Sequence, residues 1–365
     1  MLKNMKKSTK SNVITLGIVV GFYVLIQILS AAGALTNSFS GQLVPICAYV
    51  IMAVSLNLTV GILGELSLGH AGFMSVGAFS GVIVSQSLLT AVPNAPVRLA
   101  IAMVVGAIFA AIVGLLVGTP VLRLQGDYLA IVTLAFGEII ADLINCLLVG
   151  YDASGLHILF NVSGTKTIDD LGLDATGYAI IKGAQGATGT KTIAGLTAGF
   201  ILVMVTLIIV LNLTRSRAGR AIMAIRDNRI AAESNGVNVT YYKLMVFIIA
   251  AFFAGMAGVL YGHTLANIKP AMFDYNMSIE ILVIVVLGGM GSIRGSIIAT
   301  IILRALPEAL REVADYRMLA YSVLLIVIML LNASPKFAEL KGRWSVGNIL
   351  RMRKANKEKE GKENG

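Results

Sequence analysis

The sequence predicts an all-α polytopic membrane protein, a helical bundle with about ten transmembrane or partly spanning helices. Of its 365 residues 57% are hydrophobic and 13% are charged, and the mean hydropathy is +0.84, whereas a soluble domain carries about 25% charged residues. No Asp, Glu, Lys or Arg occurs in residues 11–64, and similar runs cover 66–97, 192–214 and 244–268. Each run can cross a hydrocarbon layer roughly 30 Å thick, which takes about 20 helical residues.

The basic residues indicate the orientation. The net charge of +10 gathers at the two ends and in one internal loop, as on the cytoplasmic side of a membrane protein, and this distribution does not favour a nucleic-acid partner. We predict a multi-pass protein of the plasma (inner) membrane with both termini cytoplasmic. Residues 1–12 form the basic N-terminus, 13–335 the membrane domain and 336–365 a disordered basic tail. Because the apolar stretch after residue 12 runs on too long for a secretion signal, it is interpreted as an uncleaved first span.

Six spans precede the internal arginine loop, and three apolar segments follow it. The six are 13–35, 42–63, 70–89, 99–122, 128–149 and 192–213. A cytoplasmic tail needs an even number of crossings after the loop, but the remaining segments are 244–268, 278–302 and 318–332. The glycine-broken segment therefore counts twice, as short helices 278–287 and 296–306. The alternative is nine spans with the basic tail outside.

Residues 150–191 differ from their surroundings because they are polar, nearly neutral and without apolar periodicity. We predict an extracytoplasmic loop. Its length exceeds what a connection needs, so it is either a docking element or a flexible spacer.

Glycines recur at spacings that let helices approach closely. Gly114/Gly118 and Gly258/Gly262 follow the small-xxx-small pattern. The same residue type suggests either simple packing or a narrow glycine-walled passage. The glycines that we name as candidates for a translocation path are Gly69, Gly72, Gly288, Gly289 and Gly291. Cys47 and Cys146 lie in apolar segments and are interpreted as buried packing residues.

Three polar side chains are further path candidates. Glu138 lies near the middle of its span, and Asp142 follows four residues later on the same helix face. They are either a proton relay or structural hydrogen-bond acceptors in the bundle interior. His70, at the start of the third span, is interpreted as a helix cap, since no second ligand at metal-binding spacing accompanies it.

No cofactor site is expected in this chain. Residues 186–192 read GATGTKT, but a phosphate-binding loop needs its lysine directly after the second glycine, and Thr190 intervenes. A transporter built on this chain must therefore use an ion gradient, act as a channel or borrow an ATPase.

The loop 214–243 holds an amphipathic segment. Ile222, Ile225 and Ile230 alternate with charged residues, and Gly236 is typical of a helix stop. Such a cytoplasmic helix either lies on lipid or fits a groove on a partner. The residues predicted to matter in it are Arg220, Arg226, Asp227, Ala231, Ala232, Glu233 and Gly236.

Several long motifs, in order, resemble one family. They are SLNLTVGILGELSLGHAGFMSVGAFSG (55–81), PVLRLQGDYLAIVTLAFGEI (120–139), the arginine loop, IVVLGGMGSIRGS (284–296) and LPEALREVADYRML (306–319). The chain resembles, from about residue 44 to 335, the bacterial branched-chain amino acid permeases of binding-protein-dependent ABC importers, specifically the LivM type.

The resemblance implies a ten-helix permease without catalytic activity. It implies as partners a second, related permease, two ABC ATPase subunits that bind ATP and Mg²⁺, and an extracytoplasmic substrate-binding protein. In this family the loop 214–243 would hold the coupling helices, with 231–236 reading AAESNG in place of the fuller EAA-type motif. Related permeases carry urea or short amides, and no residue is assigned as a substrate ligand. The competing hypotheses are an ion-coupled secondary transporter or channel that uses Glu138 and Asp142, and an intramembrane enzyme, for which no set of catalytic residues is found.

Overall fold

The computed structural model describes residues 7–33, 36–124, 126–162, 164–174 and 177–309, together with the four positions 322, 323, 326 and 330. The chain divides into two compact units, Met1–Ala305 and Leu306–Gly365. The first unit holds a helical bundle and a small sheet. Apart from those four positions, the predicted span 318–332 and the whole basic tail 336–365 lie outside the described residues.

Helices make up most of the described chain, which confirms the helical membrane fold. Their bounds are α1 (Lys7–Ala31), α2 (Asn37–Asn57), α3 (His70–Ser87), α4 (Ala95–Val121), α5 (Asp127–Asn145), α6 (Leu196–Arg215), α7 (Arg217–Asp227), α8 (Arg229–Ser234), α9 (Val239–Gly262), α10 (Tyr275–Gly288) and α11 (Ile293–Ala309). A π-helix, Leu58–Leu63, prolongs α2. Among the described residues, five helical segments are long and apolar enough to cross a membrane, and Thr15–Ala31 is a shorter apolar one.

The glycine-broken segment is two helices, as the crossing count requires. Helix α10 ends at Gly288, and α11 begins at Ile293. Gly289 (φ 91°) and Gly291 (φ 81°) make the turn between them, in left-handed backbone conformations that glycine adopts without a steric penalty.

Part of the segment 150–191, predicted as an extracytoplasmic loop, is paired in a five-stranded antiparallel sheet. The strands are β1 (Leu147–Asp152), β2 (Gly155–Phe160), β3 (Tyr178–Lys182), β4 (Ala187–Thr188) and β5 (Asn267–Ile268), in the order β2-β1-β3-β4-β5. The sheet corrects two predicted spans. Helix α5 ends at Asn145 rather than 149 because the next residues pair with β2 and β3, and α9 ends at Gly262 rather than 268 because Ile268 pairs with Ala187.

The hairpin between β1 and β2 is held by one carboxylate. Asp152 Oδ1 accepts hydrogen bonds from Ser154 N (2.8 Å), Ser154 Oγ (2.6 Å) and Gly155 N (3.1 Å). These bonds, the one from the Ser154 hydroxyl above all, favour the charged form and place the pKa of Asp152 well below its usual value. His157 Nε2 lies 3.0 Å from Asp152 Oδ2 on the adjoining strand.

Close glycine contacts hold α3, α4 and α9 together. A Cβ on Gly258 would lie 2.8 Å from the carbonyl carbon of Met74, and one on Gly77 would lie 2.5 Å from Gly255 Cα. Gly118 packs in the same way on the Phe247 ring. The packing interpretation of these glycines is therefore confirmed. Cys47 and Cys146 are free thiols of intermediate exposure, so both are less buried than predicted.

Candidate functional site: the α7–α8 segment and its contacts with the bundle

The amphipathic segment forms two helices rather than one. Ser216 Oγ accepts a hydrogen bond from Gly219 N (3.1 Å) and starts α7. Asn228 has extended backbone, which ends α7, and its Oδ1 accepts from Ala231 N (3.0 Å), which starts α8. Gly236 follows α8 with φ 79°, as expected of a helix stop.

The inner face of these helices is buried against this chain. Ile222 is 0% exposed, Ile225 4% and Ala232 5%, and α7 packs on the π-helix and α9. The prediction that this apolar face is available to a membrane or a partner groove is therefore wrong for Ile222 and Ile225. Ile230, on α8, is 77% exposed.

The outer face carries the other predicted residues. Its exposed members are Arg220, Arg226, Asp227, Ala231, Glu233 and Gly236. Arg226 Nη2 lies 3.1 Å from Asp227 Oδ1, and Arg229 Nε lies 3.1 Å from Glu233 Oε1. Exposed ion pairs of this kind contribute at most about 1 kcal/mol to stability. The Arg229–Glu233 pair is thus free to serve recognition rather than folding, whereas Arg226 also contacts the bundle.

One side chain ties α7 to the bundle. Arg226 Nη1 donates to the carbonyl oxygen of Gly61 at 3.0 Å, and its aliphatic stem packs on Gly64, where a Cβ would lie 2.7 Å from Arg226 Cγ. Gly61 belongs to the π-helix, an irregularity that often marks functional positions.

The same π-helix contacts the turn between α10 and α11. A Cβ on Gly61 would lie 2.9 Å from Gly291 Cα, closer than side chains pack. Buried Asn57 accepts from Gly291 N (2.8 Å) and donates to Ser296 Oγ (3.0 Å). We call this set, Asn57, Gly61, Arg226, Gly291 and Ser296, the α7 junction. It links α7 to α2, α10 and α11 in one continuous set of contacts.

Glu65, which follows the π-helix of the α7 junction, forms an ion pair with Lys243. Lys243 Nζ contacts Glu65 Oε1, and their side chains are 4% and 18% exposed. Lys243 is in the first turns of α9, and Glu65 follows the π-helix. Because both charges are largely buried, removing either one alone would leave the other without compensation.

Helix α11 begins close to the end of α10. A Cβ on Gly288 would lie 2.5 Å from the carbonyl carbon of Gly295 and from Ser296 N. The glycines 288, 289 and 291 thus serve a tight turn and a close helix contact, and a place in the translocation path remains a prediction for them.

The path candidates on α5 differ in their surroundings. Glu138 Oε1 accepts a hydrogen bond from Tyr275 N (3.0 Å), at the first residue of α10. Asp142 is exposed, and its Oδ1 lies 3.5 Å from Asn145 Nδ2. Glu138 thus occupies the position of a structural acceptor at a helix N-terminus, where negative charge is favourable.

The start of α3 is packed closely on α5. Gly69 lies against the backbone of Thr133, and a Cβ on Gly72 would lie 2.9 Å from Gly137 Cα. His70 is buried, and its Nε2 is hydrogen-bonded to Ser55 Oγ at 2.8 Å. The capping interpretation of His70 is therefore wrong, because its ring bonds α2 rather than its own helix end. Within the described residues, no three His, Cys, Asp or Glu side chains gather as metal ligands would.

Several residues of this region escaped the sequence analysis. Asn57 and Ser296 are neutral and gave no signal. Glu65, Lys243 and Glu280 did give one, since each is a lone charge next to or within an apolar run.

Comparison with known proteins identifies the family. The sequence profile described as "Branched-chain amino acid transport system / permease component" matches residues 38–333. The chain belongs to this family. No solved structure matches it.

The relatives that this family member matches are named as transport proteins. It is 34% identical over 292 residues to the high-affinity branched-chain amino acid transport system permease protein LivM of Escherichia coli (strain K12), covering 77% of this chain and 66% of that protein. The chain thus spans just under two thirds of the LivM proteins. It is 23% identical to LivH of the same organism (77% and 88% covered) and 27% identical to its ribose import permease protein RbsC (77% and 81%).

Proposed function

We propose that this chain is the membrane-spanning permease subunit of an ABC importer that moves branched-chain amino acids across the plasma membrane. Family membership and the transport function named for LivM and LivH support this assignment. The chain itself catalyses no reaction. Separate ATPase subunits bind ATP and Mg²⁺ and supply the energy.

The partners follow from the same reasoning. Similarity to both LivM and LivH supports a pair of related permeases in one transporter. Two ABC ATPases dock at the α7–α8 end, and an extracytoplasmic binding protein docks at the sheet end. This orientation agrees with the predicted cytoplasmic termini, since lysines precede α1 and arginines surround α7.

The observation that carries the proposal is the two-sided character of α7–α8. Its inner face is buried on the bundle and tied to Gly61 through Arg226, while its outer face leaves Ile230 exposed. A surface helix that an ATPase moves needs both properties, because packed side chains and rigid elements carry coupling between sites. Movement of α7 would reach α10 and α11 through the α7 junction.

Ile230→Asp tests the docking surface. Ile230 is 77% exposed, so the substitution should change stability by no more than about 0.5 kcal/mol, as at most surface positions. Val162, at the sheet end, is 83% exposed and provides a matched control. We expect Ile230→Asp to lose ATPase association in a pull-down and Val162→Asp to keep it. Equal association of the two variants would contradict docking at α8.

Glu233→Arg and Gly236→Val test the same surface by charge and backbone. Within the described residues Glu233 pairs with Arg229, and such a solvent-accessible pair contributes about 0–1 kcal/mol. A larger effect on association would therefore come from a partner contact. A β-branched residue at the φ of 79° held by Gly236 would strain the turn after α8. Both variants should insert normally but lose ATPase association or the response of hydrolysis to the binding protein. Wild-type behaviour of the double variant would remove α7–α8 as the coupling element.

A further inference from the structure

An ion pair joins α10 and α11 within the apolar part of the bundle. Arg304 Nη1 lies 2.9 Å from Glu280 Oε1. Glu280 is the one charged residue of α10 and lies near the middle of the apolar segment Pro270–Gly288. Charged groups in such segments are costly, usually paired, and commonly found along substrate pathways.

Tyr49 of α2 completes this cluster. The guanidinium carbon of Arg304 lies 3.5 Å from the centroid of the Tyr49 ring, within the range of a cation–π contact. The Tyr49 hydroxyl lies 3.5 Å from Glu280 Oε2. Tyr49 itself is buried, so it contacts both charged groups from inside the bundle.

The ion pair is not closed off. The side chains of Arg304 and Glu280 are 22% and 32% exposed. Because ionised groups avoid the hydrocarbon layer, the open edge of the pair must face an aqueous or otherwise polar space. A transport path is such a space, and partial exposure also lowers the desolvation cost of holding two charges in the bundle.

The cluster offers complementary groups to a free amino acid. A guanidinium presents five N–H donors in a planar fork that fits a carboxylate, and a carboxylate accepts hydrogen bonds from an ammonium group. A zwitterionic amino acid could place its carboxylate against Arg304 and its ammonium group against Glu280, so that each of its charges faces an opposite charge. Neither protein charge would be left uncompensated when the pair opens to receive it.

Aromatic rings extend from the pair. The ring centroids of Tyr49 and Tyr261 are 6.2 Å apart, and those of Tyr261 and Phe273 are 6.1 Å apart. Tyr49 and Phe273 are buried and Tyr261 is partly exposed, so these edge-to-face rings form the packed wall behind the ion pair. Tyr261 is the ring of the three that an aliphatic side chain could contact while the charged end of the same molecule meets the ion pair.

We propose that Glu280 and Arg304, supported by Tyr49, bind the ammonium and carboxylate groups of a free amino acid on its way through the membrane. Arg304 receives the carboxylate and Glu280 the ammonium group. This assignment rests on the proposed function, since it concerns the solute that the importer carries.

The double variant Glu280→Leu/Arg304→Leu tests the site in the complete reconstituted transporter. Replacing both members of an ion pair by apolar residues is often tolerated by the fold. We expect hydrolysis stimulated by the binding protein to continue, while uptake of L-leucine falls by at least about tenfold, because charge-assisted contacts are the strong ones. Leucine uptake at the wild-type rate would overturn the site and leave the proposed function intact.

Arg304→Lys covers the case in which the double variant fails to fold. Lysine keeps the charge and the pairing with Glu280 but lacks the planar fork. We expect normal stability with reduced uptake; uptake equal to wild type would overturn the assignment to Arg304.

Leucine-dependent stabilisation separates the site from the proposed function. L-leucine in excess should raise the unfolding temperature of the wild-type complex without binding protein, and leucinamide, which lacks the carboxylate, should not. A shift that persists in the double variant, or none in wild type, overturns the site. A wild-type complex in which hydrolysis and uptake both ignore the binding protein contradicts the proposed function instead.

Discussion

Substituting Gly61 by alanine perturbs the α7 junction with a single methyl group. The new Cβ would fall inside the van der Waals distance of Asn57 Oδ1 and Gly291 N and would lie 2.9 Å from Gly291 Cα. Two of these atoms are backbone, so the conflict is relieved only if the turn between α10 and α11 moves away from the π-helix. That movement would also break the hydrogen bond from Gly291 N to Asn57.

The expected loss of stability follows from these contacts. Overpacking a well-packed interior costs about 1–3 kcal/mol, and the lost hydrogen bond adds about 0.5–1.5 kcal/mol. Alanine in place of a helical glycine returns up to about 1 kcal/mol. The net loss for Gly61→Ala is therefore about 0.5–4.5 kcal/mol.

Gly21 supplies the control because it lies in α1, is exposed, and has no atom within 4 Å of an added Cβ. Gly21→Ala should be neutral or stabilising by up to about 1 kcal/mol. Reversible unfolding in mixed detergent and dodecyl sulfate micelles, followed by circular dichroism, measures both. Equal unfolding free energies for the two variants would refute the close approach at the junction.

Three further predictions concern other contacts. The unfolding free energy of Glu138→Gln should lie within about 0.5 kcal/mol of wild type, because glutamine keeps the acceptor for the first turn of α10. Glu138→Ala should lose about 0.5–1.5 kcal/mol of that free energy. Equal stability of the two variants would contradict the structural role. Arg226→Lys should keep ATPase association but weaken the response of hydrolysis to the binding protein, since a lysine lacks the planar guanidinium that bonds Gly61 and Asp227 at the same time. An unchanged response would contradict this link. Because the pKa of Asp152 is lowered by folding, its carboxylate stabilises the hairpin above the usual Asp value of 3.8, and this contribution is lost as the pH falls through the lower folded-state pKa. Hydrogen exchange of β1 and β2 measures that loss, and Ser154→Ala should move it to higher pH; an identical profile in this variant would refute the assignment.

The helical part of the fold was predictable because span-length apolar runs have one structural solution in a membrane. The ends of α5 and α9 were not. Residues 147–149 are as apolar as the helix before them, and a short apolar run reads equally well as helix or buried strand. Pairing of Ile268 with Ala187 joins positions far apart in sequence, which local patterns do not reveal.

The α7–α8 segment was predictable in position and amphipathic character but not in contacts. The spacing of Ile222 and Ile225 defines an apolar face without showing that it belongs against α9 and the π-helix of the same chain. The pairing of Glu280 with Arg304 likewise depends on how α10 and α11 meet, although each residue is a visible charge near an apolar run.

The most direct test of the importer assignment is uptake of L-leucine by vesicles that contain this chain, the second permease and the ATPases. We expect uptake to require ATP and the loaded binding protein, and to continue when an uncoupler removes the proton gradient at constant ATP. Uptake that proceeds without ATPase subunits and is abolished by the uncoupler would contradict the ABC importer and favour ion-coupled transport through this chain.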